Sequence, residues 1–177
     1  MDTRHFHQRR AAWLPIILAT TGVAVVAVLT VVQALPDPWW LWLLLTVAYL
    51  ALEFTAVEVN DRLLVSSAVM VSFATAVMFS PDSRILAVVG MSALASLHPR
   101  DLRERRWRVS AANLGVLVVS TTAAMLVFHP FLPSGPPTTA DLPLLALGAV
   151  VAAITVDWVG FRLVSFMTRR IFPGQEL

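Results

Sequence analysis

Residues 83–108 read SRILAVVGMSALASLHPRDLRERRWR. An uncharged apolar run is followed at once by Arg100, Arg103, Arg105, Arg106 and Arg108. Whether that run crosses a membrane sets the side on which five arginines lie, and with it the topology of the whole chain. A helix rises about 1.5 Å per residue, so a hydrocarbon layer about 30 Å thick takes about 20 residues to cross. The run at 83–97 is shorter than that and is also compatible with a re-entrant segment. The arginines decide between the two. With the N-terminus inside and six spans, Arg4, Arg9, Arg10, Arg62, Arg100, Arg103, Arg105, Arg106, Arg108, Arg162, Arg169 and Arg170 lie inside, and Arg84 alone lies outside. Without the fourth crossing, the 100–108 cluster joins Arg84 outside, against the strong bias of short loops to keep Arg and Lys on the cytoplasmic side. The sequence therefore predicts an all-α, polytopic bundle of six transmembrane helices with both termini inside.

The other predicted spans lie at 13–35, 38–54, 65–79, 109–128 and 142–167. Their breaks are local: Pro36-Asp37-Pro38, Ser80-Pro81-Asp82 and His129-Pro130. Trp39, Trp40 and Trp42 open the second span and suit an interfacial aromatic belt. The link 54–65 alternates Val57/Val59 with Glu58/Asn60 and then carries Asn60-Asp61; it reads either as a short extended hairpin or as a frayed helix end. The connection 129–141 has no Arg and contains Pro130, Pro133, Pro136 and Pro137, as a stiff external loop would. The domain organisation is a basic tail at 1–12, a transmembrane domain at 13–168 and a short cytoplasmic tail at 169–177. A basic N-terminus before an apolar run also fits a signal peptide, but the 13–35 run is too long and no small-residue cleavage site precedes Pro36, so it is expected to be an uncleaved first span.

Composition supports the same class. Of 177 residues, 58% are hydrophobic and 14% charged, and the mean hydropathy is +0.76; soluble domains carry about a quarter charged residues. All 13 basic residues are Arg. Clustered as they are, they suit lipid phosphates and acidic protein faces at a membrane surface, and nucleic acid is not an expected partner. No Cys is present, so disulfides, thiolate metal sites and Cys catalysis are excluded.

Ionisable groups inside hydrocarbon are the natural candidates for function. Asp157 lies near the middle of the sixth span, Arg162 five residues nearer the cytoplasm, Glu53 near the inner end of the second, and Asn113 in the first turns of the fifth. These four are the candidate intramembrane polar network, expected to converge in the cytoplasmic half of the bundle. Its functional reading is a proton-, cation- or ligand-sensing site. The plainer reading is that Asp157 pairs to fix packing while Arg162 reaches to the headgroups. Asp157 and Arg162 stand about 140° apart around one helix, so a direct pair within it is poor and Asp157 needs a partner from elsewhere. The loop Arg100, Arg103, Arg105, Arg106 and Arg108 is the expected surface for lipid or a partner protein. The histidines form no ligand set: His5 and His7 are in the tail, His98 and His129 at opposite boundaries. No metal, cofactor or catalytic residue is expected, and phosphate-loop, GxSxG, HExxH and CxxC signatures are missing. Gly90, Ser92 and Ser96, Ala111 and Gly115, and Gly148 and Ala152 are small residues suited to close helix packing or to dimerisation.

The stretch LALEFTAVEVNDRLLVSSAVMVSFATAVMFSPDSRILAVVGMSALASL at 50–97, the Arg-rich turn, and RWRVSAANLGVLVVSTTAAMLVF at 106–128 carry a resemblance. Together they resemble the N-terminal membrane region of bacterial signalling proteins that bear HD-GYP phosphohydrolase or diguanylate-cyclase output domains. Glu53, Pro81 and Asn113 match pattern positions; Ser80 stands where Gly is usual, and Ala112 where an aromatic often precedes Asn. No HD dipeptide, GYP or GGDEF sequence follows the sixth span. The resemblance covers about residues 48–128. It implies a sensory or anchoring module of the bacterial inner membrane, not an enzyme, acting alone or with an output partner on a separate chain. The partners so expected are membrane lipids, a cytoplasmic signalling protein and a second copy. The alternative is a small-molecule transporter subunit similar to a six-helix substrate-binding component.

Overall fold

The computed structural model describes the backbone of residues 3–55, 57–60, 63–65 and 68–171, and the side chains of 13–55 and 68–166. Helix α1 spans Thr3–Val32 and α2 Trp39–Phe54. A two-stranded antiparallel ribbon follows, β1 (Val57–Asn60) and β2 (Leu63–Val65), with Val57 opposite Val65 and a bulge between Glu58 and Asn60. Of the two readings of 54–65, the extended hairpin is the one observed. Then come α3 (Ala68–Met78), α4 (Arg84–Ala95), a short α5 (Pro99–Arg103), α6 (Trp107–Phe128) and α7 (Leu142–Ile171). The side chains of Arg4, His5, His7, Arg9, Arg10, Arg62, Arg169 and Arg170 lie outside the described residues.

The architecture is helical, as expected, but its helices are of two kinds. Trp13–Val32, Trp107–Phe131 and Thr139–Phe166 are each long and apolar enough to cross a membrane. Helices α2, α3 and α4 have 16, 11 and 12 residues, or about 24, 17 and 18 Å at 1.5 Å per residue. Six helices of full spanning length are therefore not observed. Local structure bounds the two shortest: β2 ends at Val65 before α3, and a turn in which the Ser83 and Arg84 N–H both donate to the Ser80 carbonyl separates α3 from α4.

The course of α4 is fixed by contacts at both ends. At its start, the Gln33 side-chain oxygen accepts from the Leu86 N–H at 2.7 Å, and the Ala34 N–H donates to the Asp82 carbonyl at 2.9 Å. This satisfies one of the donors that any helix leaves open at its N-terminus, and it binds α4 to the end at which α1 finishes. At the other end, His98 stacks edge-on against Phe54, the last residue of α2, at 4.8 Å. Helix α4 thus traverses the bundle; it does not turn back.

It is also the most enclosed helix. Ile85, Leu86, Ala87, Val88, Val89, Met91 and Ser92 are all buried, and α1, α2, α3 and α6 all pack on it. A helix screened on all sides by protein need not match the thickness of a lipid layer. Large apolar side chains of α1, α2 and α7, such as Val31, Trp39, Leu44, Ile154 and Phe161, are exposed instead.

Two apolar clusters flank α4. One joins Ile85, Val88 and Val89 to Val118, Met125, Phe128 and Leu145, with Phe73 edge-on to Phe128 at 5.2 Å. The other joins Tyr49, Ala68, Met91 and Ala95, with Trp42 and Leu117 against them. The small residues serve contacts within the chain. A Cβ on Gly115 would collide with the backbone of Leu18, and one on Gly22 would come within 3.2 Å of the Gly115 Cα, so α1 and α6 approach backbone to backbone as small residues permit. Gly148 lies against Phe131 and Phe128 in the same way, and Ala152 is buried. Hydroxyls along the helices largely bond back to their own turn, as Thr46 does to Trp42, Thr75 to Val71, Thr122 to Val118 and Thr155 to Val151, at 2.7–2.8 Å; this satisfies them where water is absent.

Candidate functional site

The polar side chains that do meet inside the bundle are mostly hydroxyls. Thr121 of α6 donates to the Ser92 Oγ of α4 at 3.1 Å, and both are buried. The Tyr49 hydroxyl of α2 lies against Ser92 and against Ser72 of α3, with Glu53 beside it. Thr75, one turn along α3 from Ser72, points its hydroxyl at the Met91 sulfur at 3.5 Å. Hydroxyls of four helices therefore gather in one polar ladder, buried at Thr121 and Ser92 and half-buried at Ser72, in which a hydrogen bond crosses from α6 to α4. Tyr49 and Glu53 are four residues apart and so occupy one face of α2.

On α6, Ser110, Asn113, Leu117 and Thr121 follow helical spacing and form a single stripe. Leu117 packs into the Tyr49 cluster, which places the stripe toward α2, α3 and α4. Asn113 is half-buried on it. The Ser110 Oγ is buried with no hydrogen-bond partner, an unsatisfied group of a kind that is rare in folded proteins.

The expected network is therefore split. Glu53 and Asn113 sit on the helices of the ladder. Asp157 and Arg162 do not: α7 packs on α6 and α1, whereas α2 packs on α3 and α4, and both residues are exposed on α7. The Arg162 guanidinium lies over the Trp158 ring at 5.2 Å. A charge on the lipid side of a helix is costly, about 2.5–3.5 kcal/mol at mid-bilayer on insertion scales, and no described residue pairs with Asp157 to offset it.

Tyr49, Ser72 and Thr121 are not singled out by sequence, and Ser92 is singled out only as a small packing residue. Single hydroxyls are common in apolar helices and carry no spacing signal; the one usable clue was that Tyr49, the chain's sole tyrosine, stands one turn before Glu53.

The basic loop is built as a tight turn at the α2 end of α4. The His98 Nδ1 accepts from the Arg100 N–H at 3.2 Å and caps α5. Glu104 bridges Arg100 at 3.0 Å and Arg106 at 2.7 Å. The Arg100 hydrogen bond, supported by the charge of Arg106, holds the Glu104 carboxyl below its ordinary range. Arg105 takes a left-handed φ of 55°, uncommon for a residue with a side chain. Arg103 and Arg108 form no ion pair with a described residue and remain exposed. At the opposite end, Arg84 is buried under the 129–141 loop, donating to the Pro133 carbonyl at 3.4 Å, with Asp82 close by. The predicted lone outer arginine thus sits at the end opposite the cluster, but as a buried tie between α4 and that loop.

Chemically, the ladder offers donors and acceptors able to hold a small polar ligand or to exchange bonds with one another. No group of His, Asp and Glu among the described residues is arranged to hold a metal ion. Compared with protein-family models, with curated proteins and with solved structures, the chain matches none of them.

Proposed function

We propose that this chain is a sensory or anchoring module of the bacterial cytoplasmic membrane, spanning it six times with both termini inside, whose signal is a repacking of α2, α3 and α4 against α6. The observation that carries this reading is the ladder Thr121–Ser92–Tyr49–Ser72 with Glu53 beside it. A hydroxyl in a helix can bond across to a neighbour or back to its own preceding turn at similar cost. Helices joined by such bonds have two arrangements close in energy, and packed interfaces move between discrete arrangements rather than deform gradually.

The output route is short. The Phe54–His98 contact joins the end of α2 to the turn that carries Arg100–Arg108, so a shift of α2 moves the basic loop. Anionic lipid and the acidic face of a cytoplasmic signalling protein are the partners such a loop suits. The short α2, α3 and α4 are compatible with six crossings because α4 is sheathed by its neighbours and the hairpin extends α2 and α3 at the arginine side.

The test is the melting temperature of the purified protein against a panel of monovalent and divalent cations, amino acids and nucleosides, for wild type, Tyr49→Phe and Glu53→Gln. A compound that stabilises wild type and neither variant is the expected result. Variants that melt earlier under every condition, with the wild-type response to the panel intact, would reduce the ladder to packing and remove the sensory reading.

A further inference from the structure

The exposed face of α7 carries two opposite charges, neither of them in an ion pair with a described residue. Leu147, Val150, Ile154, Trp158 and Phe161 are each more than half exposed, and their spacing makes one continuous stripe along the helix. Asp157 lies along one edge of that stripe and Arg162 along the other; Asp157 is exposed, with no hydrogen bond or ion pair to any described residue. Arg162 does not extend toward the arginine-rich end. Its guanidinium rests over the Trp158 ring, one turn back, which draws the positive charge from the level of residue 162 toward that of Asp157. The two residues stand about 140° apart around the helix, so they cannot pair within it.

We infer that α7 is a self-association face: two copies pack in parallel about a two-fold axis along the membrane normal, each Asp157 pairing with Arg162 of the other. Two-fold interfaces are reciprocal, so a residue that meets a second residue across the axis is met by it in turn. A face flanked by an acid on one side and a base on the other is complementary to itself when turned about a two-fold axis, and a partner of another kind would need its own matched pair. Trp158 in the stripe and Arg162 at its edge are also of the residue types that anchor interfaces. The pairing gives Asp157 the partner from outside its helix that an intramembrane carboxylate requires. The inference needs α7 to cross the membrane, as its length and composition allow, and does not need the sensory role.

The chain has no cysteine, so single cysteines report contacts cleanly. In native membranes under mild oxidation, Phe161→Cys is expected to form a disulfide between copies, and Leu43→Cys, on the exposed face of α2, is not. In the Phe161→Cys background, D157R alone and R162D alone set like charges against each other at both contacts across the axis, and each should lower the cross-linked fraction at least about tenfold, the factor that about 1.4 kcal/mol corresponds to. Differently tagged D157R and R162D chains produced together restore both opposite-charge contacts and should cross-link as wild type does. A Phe161→Cys chain that forms no disulfide with a second copy, or links only to other proteins, overturns the proposal. So does undiminished cross-linking in both single variants, or a mixed pair no better than either alone. If a charge variant fails to insert, the comparison of Phe161→Cys with Leu43→Cys still decides.

Discussion

The Thr121–Ser92 hydrogen bond is the smallest unit on which the functional reading rests, and its strength is measurable in isolation. Both residues are buried and the bond is 3.1 Å long, yet cross-helix hydrogen bonds in membrane proteins are worth only about 0.6 kcal/mol on average, because the alternatives also find partners. A double-mutant cycle with Ser92→Ala and Thr121→Val is expected to return a coupling of about 0.6 kcal/mol in unfolding from detergent. A coupling near zero would mean that the two hydroxyls bond independently to their own turns. Modest coupling suits a switch, since a bond worth several kcal/mol would lock one arrangement. The same scale shows what sequence could say of the site. Glu53 and Asn113 were found because an acid and an amide stand out in apolar runs. Asp157 was found for the same reason, but its direction was hidden: α7 is apolar on both faces, and without a water-facing side the pattern cannot tell which face packs on α6. Tyr49, Ser72 and Thr121 were hidden, and Ser92 legible only as a small packing residue, because single hydroxyls are unremarkable in apolar helices.

Between elements, the closest approach is that of α1 and α6 at Gly22 and Gly115. Gly115→Ala drives a methyl into the Leu18 backbone, which cannot move aside as a flexible side chain can, and is expected to cost about 1–3 kcal/mol, the usual range for overpacking. Gly160→Ala, in α7 with nothing within 4 Å of the new Cβ, is the control, and should be neutral or slightly stabilising since Ala is the better helix former. Equal losses at both positions, measured by thermal melting in detergent, would show that the α1–α6 approach is not the cause. The Arg-rich turn makes a different prediction. The Glu104 carboxyl is held below its ordinary range chiefly by Arg100, and a carboxyl lowered in the folded state favours that state above its unfolded pKa and loses the benefit as pH falls through the folded one. The turn should therefore keep its order at neutral pH and loosen only on acidification below about 4.3, the ordinary glutamate value. Proton titration of Glu104 by NMR should show the lowered midpoint, and Arg100→Gln should bring it back up. Helix ends such as Pro36-Asp37-Pro38 and His129-Pro130 were legible because a helix break is a local event. The shortness of the 83–97 run was legible too; the enclosure of α4 by α1, α2, α3 and α6 was not, because an apolar run carries no sign of which neighbours cover it.

For the molecule as a whole, the decisive quantity is the number of times the chain changes side, and α4 is where the alternatives separate. Its start is fastened to the end of α1 through Gln33 and Ala34, and its finish to the end of α2 through Phe54 and His98. If the long α1 crosses the membrane, these contacts put residues 82 and 103 on opposite sides of the bundle, with residue 134 on the side of residue 82, since Arg84 reaches the Pro133 carbonyl. Placing the arginine-rich side inside then follows from the retention of Arg in the cytoplasm. In a chain without cysteine, Asp82→Cys and Ser134→Cys should react in intact cells with a membrane-impermeant maleimide, and Arg103→Cys only after the membrane is opened; all three residues are exposed in the fold. Labelling of Arg103→Cys from outside together with Asp82→Cys, with Ser134→Cys protected until the membrane is opened, would mean that α4 enters and returns within the layer and that the Arg100–Arg108 loop faces away from the cytoplasm. No cytoplasmic partner could then engage that loop, so one labelling pattern tests both the six-span topology and the output route that depends on it.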